Sequence, residues 1–202
     1  MMMFKTDIGK AYDSVDWEYL DDIMATMGFG LRWRHWIKII LNSGFSSILI
    51  NGSPTNEFKL ERGLRQGDPL SPFLFTLIME GLSLAIKKAE ENNGFKGISV
   101  GSDNIYLSHL FFADDAVFLA KWDIENALNL IRILFCFRQV SGLTVNMEKS
   151  HLFGIGTQAE ECFAMAQILG CKTDKLPSIF LGIPIGNKMK RINAWEPLIG
   201  QQ

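Results

Sequence analysis

Apolar and polar positions change period along this chain, and each change marks an element. Met3 to Ile8 reads as the interior of a β-strand in which Lys5 and Asp7 interrupt the apolar residues. A helical period follows from Asp16 to Met27, carried by Trp17, Leu20, Ile23, Met24 and Met27 and closed by Gly28 as a C-terminal cap. The same period returns from Leu31 to Asn42 with Trp33, Trp36, Ile37 and Ile40, and stops before Gly44. The tryptophans of both helices read as core anchors.

Ser46 to Ile50 and Glu57 to Glu61 flank Asn51-Gly52, a strong hairpin-turn signal. Gly63 to Pro69 is a loop. Ser71 as N-cap and Pro72 at the first helical position then open a long helix that reaches about Glu91. Beyond Ile98 to Val100 comes a second hairpin, with arms Ser108 to Phe112 and Ala116 to Ala120. A helix from about Asp123 to Val140 ends at Ser141-Gly142. Strand-like Leu143 to Asn146 and Ser150 to Ile155, a helix over Ala159 to Leu169, and Ile179 to Ile185 complete the order. Strand, helices, strand pair, helix, strand is the split βαβ arrangement, an α+β fold whose antiparallel sheet carries helices on one face. In such a sheet the first strand lies beside the central hairpin, which brings Asp7 next to Asp114.

Composition narrows the setting. The 202 residues suffice for one domain with a core, and 48% hydrophobic against 21% charged residues excludes a disordered chain. A net charge of −2 gives no overall basic field, so any nucleic acid must be held by local patches. Candidates are Lys59, Arg62 and Arg65, then Lys87 and Lys88, then Lys188, Lys190 and Arg191. Cys136, Cys162 and Cys171 lack CxxC spacing and are odd in number, which points to a reducing intracellular compartment, nucleus or cytoplasm. Glu80 interrupts the longest apolar candidate, Pro72 to Ile86, so no membrane span is expected. The opening MMMFKTD is not a secretory signal, and a chain that opens inside a strand suggests truncation or a misassigned start.

The stretch FFADDAVFLA sets Asp114 and Asp115 side by side within an apolar run. One reading is a wet hairpin tip, since Asp tolerates turn geometry. The other follows from Asp7: three carboxylates converging at a strand end and a hairpin tip form a pocket suited to hard divalent cations. His35, His109 and His151 have no zinc-ligand spacing, and His109 reads as a strand residue near the site.

DIGKAYDSVDW (7–17), GLRQGDPLSPFLF (63–75), SHLFFADDAVFLA (108–120), SGLTVNMEKS (141–150) and FLGIPIG (180–186) resemble, in order, the palm motifs of reverse transcriptases. They are most similar to those of LINE-type retrotransposons without long terminal repeats. The resemblance implies a polymerase palm over residues 1–202. Asp7, Asp114 and Asp115 would hold two Mg2+ ions, with Mn2+ as a substitute. Backbone from Ile8, Gly9, Lys10 and Ala11 would meet the triphosphate. Tyr12 would lie under the sugar and exclude a ribose 2′-hydroxyl; its own shape fits a core aromatic equally well. Arg65, Gln66 and Gly67 would face nucleotide and template, Lys149 would protonate the leaving pyrophosphate, and FLGIPIG would position the primer end. The implied partners are an RNA template, a DNA primer and deoxynucleoside triphosphates, with no membrane.

The fingers segment, the thumb, the endonuclease and the cysteine-rich tail of that family are not recognised in the sequence. The chain alone is therefore expected not to extend a primer at a useful rate. Two other readings stay open: a non-catalytic remnant, inert or kept as a nucleic-acid- or protein-binding module, and a carboxylate-metal nuclease, for which Tyr12 and Gln66-Gly67 have no use.

Overall fold

In the computed structural model, which describes residues 1–186, strand β1 (Met2–Gly9) is the axis of the molecule. It leads into a single-turn helix α1 (Ala11–Ser14), then α2 (Trp17–Thr26) and α3 (Leu31–Asn42). Two short strand pairs follow: β2 (Phe45–Ser46) with β5 (Phe58–Lys59), and β3 (Leu49–Ile50) with β4 (Ser53–Pro54). Helix α4 (Ser71–Glu91), the ribbon β6 (Ile98–Val100) with β7 (Ile105–Leu107), and the hairpin β8 (His109–Phe112) with β9 (Asp115–Ala120) come next. Then follow α5 (Ile124–Ser141), β10 (Thr144–Val145), a 3-10 turn (Met147–Lys149), β11 (His151–Gly154), α6 (Ala159–Leu169) and β12 (Lys172–Thr173). A last hairpin joins β13 (Ser178–Phe180) to β14 (Ile183–Ile185). The expected basic cluster of Lys188, Lys190 and Arg191 lies outside the described residues.

The main sheet runs β12-β11-β1-β9-β8, with β10 also paired to β1. Every pairing is antiparallel except β11 with β12. Without β12, this is the strand order expected of the split βαβ arrangement. The period of two in β1 sorts its side chains. Met2, Phe4, Thr6 and Ile8 join the main core under the helices, together with Ala116, Phe118 and Ala120 of β9. Met3 turns the other way and packs with Val117, Leu119 and Phe153 in a smaller cluster. Phe180 and Ile185 of the last hairpin, and Ile98 and Leu107 of the ribbon, lie against that second face. Hence the helices cover one face, as expected, and small hairpins cover part of the other.

Helix α4 supplies the centre of the core through Leu74, Phe75, Ile78, Met79, Leu82 and Ile86, all buried. Each such side chain contributes roughly 1.5–3 kcal/mol when fully buried. Its start differs from the expectation by one residue. Leu70 is the N-cap and Ser71 is already helical, because the Asp68 carboxylate accepts the Leu70 N–H at 2.8 Å and the Asp68 carbonyl accepts the Ser71 N–H.

The tryptophans also divide. Trp17 is an anchor, its indole N–H donating to the Gly63 carbonyl at 2.7 Å. Trp33 and Trp36 are 40% and 46% exposed on α3, so they are not core anchors. Only Ile37 of that helix is fully buried, because α2 covers one narrow stripe. Asn51 and Gly52 both have positive φ, 50° and 82°, as the expected tight hairpin turn requires. Among the described residues no helix is long and apolar enough to cross a membrane.

Candidate active site

Strand β1 delivers Asp7 to one end of the sheet, where three neighbours meet it. Across β9, Asp7 lies directly opposite Asp115, and the Ile8 N–H donates to the Asp114 carbonyl at 2.9 Å. The hairpin therefore turns through Ala113 and Asp114, with Ala113 at φ 50°, an unusual conformation for alanine. On the other side β10 pairs with Ile8 and Gly9, and the Asn146 N–H donates to the Asp7 carbonyl at 3.1 Å. Asn146 caps the 3-10 turn that ends in Lys149. That placement sets the Lys149 amine 3.3 Å from Asp7 Oδ2.

The other oxygen, Asp7 Oδ1, is buried and has no hydrogen-bond partner. A buried anionic oxygen without a partner is costly and calls for a cation or donor. Asp115 feels the same crowding. Burial pushes its carboxyl above the ordinary range; the charges of Asp114 and Asp7 push the same way and Lys5 opposes them.

The second wall is the 63–68 loop, stapled to α1 by backbone. The Gly63 N–H donates to the Val15 carbonyl at 2.8 Å and the Leu64 N–H to the Tyr12 carbonyl at 2.6 Å. Gly63 has φ 86°, and a Cβ there would stand 2.9 Å from the Asp13 carbonyl oxygen, so the contact needs glycine. Gln66 Nε2 donates to Asp13 Oδ1 at 3.3 Å. The Tyr12 ring stacks on the buried Phe75 of α4, centroids 5.1 Å apart.

Between these walls is a cleft of about 700 Å³. It is lined by Asp7, Ile8, Gly9, Lys10, Ala11 and Tyr12 from the β1 end, by Gln66 and Gly67, and by Asp114 and Lys149. Ten sequence-predicted positions thus come together. Arg65 and Asp115 are not in the lining, although Asp115 stands opposite Asp7 and beside Asp114. Among the described residues no three His, Cys, Asp or Glu side chains form a metal-holding group. Successive residues leaving a tight turn project differently, so Asp114 enters the cleft while Asp115 faces Asp7 across the ladder.

Two hard carboxylates, one with an unmatched oxygen, still suit a divalent cation. Magnesium takes one or two protein carboxylates and completes its shell from water and substrate phosphates. Asp68, Pro69 and Pro72 also line the cleft and were missed. Their signal was present in GDPLSP, directly after the glycine already singled out. His109 is not in the lining; it sits between Ser108 and Ser83 hydroxyls at 2.9 and 3.0 Å.

A separate cavity of about 480 Å³ lies between α2 and α3. Among its polar lining Arg34 forms a two-bond pair with Asp21, and no carboxylate of the sheet reaches it. The larger cleft, with Asp7 and Asp114, is the candidate site.

Residues 1–185 match the family model described as reverse transcriptase (RNA-dependent DNA polymerase). An uncharacterized mitochondrial protein of Arabidopsis thaliana is 41% identical over 110 residues, 54% of this chain and 88% of that protein. The Pol polyprotein of the type-1 retrotransposable element R2 of Popillia japonica is 30% identical over 71% of this chain. That of the type-2 element R2DM of Drosophila melanogaster is 28% identical over 95% of it. The chain spans 22% and 17% of those polyproteins. Among solved structures, apo telomerase of Candida tropicalis gives a TM-score of 0.58 at 15% identity, covering 78% of this chain and 31% of that one. Telomerase of Candida albicans, in complex with a fragment of telomeric RNA, gives the same score at 14%, over 91% and 30%. These two likenesses concern the fold. With a family model over nearly all of its length and R2 polyproteins among its relatives, the chain belongs to the reverse transcriptase family.

Proposed function

We propose that residues 1–202 form the palm of an RNA-directed DNA polymerase, and that its cleft carries nucleotidyl transfer from a deoxynucleoside triphosphate to a DNA primer on an RNA template. The observation that carries this reading is the buried, unpartnered Asp7 Oδ1 in one cleft with Asp114 and Lys149. In the reaction the primer 3′-oxygen bonds to the α-phosphorus and pyrophosphate leaves.

Asp7 and Asp114, with Asp115 adjacent, would hold two Mg2+ ions, or Mn2+ in their place. Bound there, such ions neutralise phosphate charge and lower the pKa of the attacking hydroxyl. The chain's own groups do the rest. The amides from Ile8 to Ala11 run along the cleft wall, where successive N–H groups suit phosphate oxygens. Tyr12, braced by Phe75, presents a rigid ring to the sugar. Gly67, at φ 82° with open space where a Cβ would be, leaves room for a base or backbone to approach. Lys149 can exchange Asp7 for the leaving phosphate and donate a proton to it. Arg65, next to this wall, is available to template phosphates.

The test joins this chain to the remaining regions of an R2-type polyprotein and follows primer extension on RNA. Synthesis should occur and should fall about a thousandfold or more in Asp7→Asn and in Asp114→Asn, the scale on which transition-state charge stabilisation acts. Template binding with no aspartate-dependent synthesis would return the chain to the reading of a non-catalytic binding module.

A further inference from the structure

Lys5 is a charged residue in the middle of the strand that carries Asp7, on the same face and two positions before it. It does not line the cleft. Its neighbours on that face are Met3 and Asp7 on its own strand, Val117 opposite it on β9 with Asp115 beyond, and His151 opposite it on β11. Instead of reaching solvent alone, its amine donates to the Ile179 carbonyl at 2.9 Å, a contact spanning 174 residues. The same amine stands 5.5 Å from the centre of the Phe180 ring. Both partners belong to β13, the first arm of the last hairpin.

The hairpin has a second hold on the sheet, and it is apolar: Phe180 and Ile185 pack against the cluster of Met3, Val117, Leu119 and Phe153. Apolar packing is non-directional and tolerates sliding. A charged donor on one carbonyl oxygen, with an aromatic ring beside it, has direction and fixes a register. The two holds therefore differ in kind: Met3 offers the hairpin an apolar contact from β1, and Lys5, two positions nearer Asp7, offers a directional one.

We propose that Lys5 is a positioning residue: it locks the 178–185 hairpin at a set distance from Asp7 and Asp114, and thereby sets where a primer end lies relative to them. The proposal rests on the polymerase reading above, because only that reading gives the hairpin a primer to position.

The test uses the full 202-residue chain with Lys5→Met, which keeps length and apolar stem but loses the charge, and Lys5→Arg, which keeps charge and donors. In hydrogen exchange, Lys5→Met should exchange about tenfold faster over residues 178–185, the loss expected for one charged hydrogen bond, while residues 2–8 keep their protection. Lys5→Arg should exchange at the wild-type rate. Equal exchange over the hairpin in wild type and Lys5→Met would overturn the tether.

The second readout uses the chain joined to the remaining regions of an R2-type polyprotein, puts Fe2+ in place of Mg2+ with a primer on an RNA template, and maps hydroxyl-radical cleavage of the primer. Wild type and Lys5→Arg should cut at the primer end in an Asp114-dependent manner; Lys5→Met should spread the cuts over several nucleotides. Faster hairpin exchange with an unchanged cleavage pattern would overturn the positioning role. No Asp114-dependent cleavage by the joined protein with wild-type Lys5 would overturn the polymerase reading itself, and the exchange measurement would still decide the tether.

Discussion

Asp7 and Asp115 stand directly opposite each other on neighbouring antiparallel strands. Like charges in that position repel, and a sheet ordinarily avoids them. Here the crowding is joined by Asp114 at the turn and relieved by Lys5 on one side and Lys149 on the other. The arrangement leaves one buried oxygen of Asp7 unmatched, the feature on which the proposed cation binding rests.

Divalent cations should accordingly stabilise the fold. A ligand bound only by the native state at a hundredfold excess over its Kd adds about 2.7 kcal/mol. Thermal melts with and without manganese should show a rise in Tm for the wild type and a smaller one for Asp114→Asn and Asp7→Asn. Equal shifts in all three proteins would move the binding elsewhere.

Asp115→Asn should raise the melting temperature of the cation-free chain at neutral pH. The carboxyl is held above its usual range by burial first and by its acidic neighbours next, so its ionised form works against folding. A lower Tm in the variant would show that Asp115 makes a native contact worth more than the repulsion it suffers.

Gly63→Ala should destabilise the chain by about 2 kcal/mol or more. The new Cβ meets the Asp13 backbone at φ 86°, and neither wall can retreat without breaking the bonds to Val15 and Tyr12. Urea unfolding measures this directly, and a neutral result would mean that the loop and α1 are less tightly stapled than the distances imply.

Tyr12→Ala, in the chain joined to the remaining regions of an R2-type polyprotein, should narrow the preference for deoxynucleotides over ribonucleotides. Tyr12→Phe keeps the ring on Phe75 and should keep the preference. Single-nucleotide incorporation ratios decide the matter. If Tyr12→Ala discriminates as the wild type does, the ring serves core packing alone.

His109 gives the fold a pH dependence. Burial holds its pKa below 6.5; Lys87 lowers it further, and Glu80 on the same helix opposes. The native state thus favours the neutral ring between Ser83 and Ser108, while the unfolded state takes up a proton first. Stability should be full above pH 6.5 and should fall as pH drops through the lower native value. Unfolding midpoints at about pH 7.5 and about pH 5 should differ more in wild type than in His109→Gln.

The parts of the fold legible in the sequence are those with local causes. Gly28 and Gly142 end α2 and α5 with φ 83° and 77°, and Asn51-Gly52 makes its turn, because the required backbone angles belong to those residues themselves. Burial beyond one helix was not legible. The period of α3 says that Trp33 and Trp36 share a face, not whether anything covers it. Nor could spacing separate Asp114 from Asp115, since their roles depend on which residue the turn ends at. The pairing of Asp13 with Gln66, and of Lys5 with Ile179, joins residues far apart in sequence and leaves no trace in either local pattern.

The central place of β1 also governs how this chain comes off the ribosome. Residues 2–9 are made well before their strand partners, 115–120 and 151–154. At synthesis rates of about 5–20 residues per second, the strand bearing Asp7 waits on the order of ten seconds for its second neighbour. Throughout that interval Met2, Met3, Phe4 and Ile8 have no sheet to join. The segment that carries Asp7 thus keeps its apolar side chains unpaired during translation until both neighbouring strands are made.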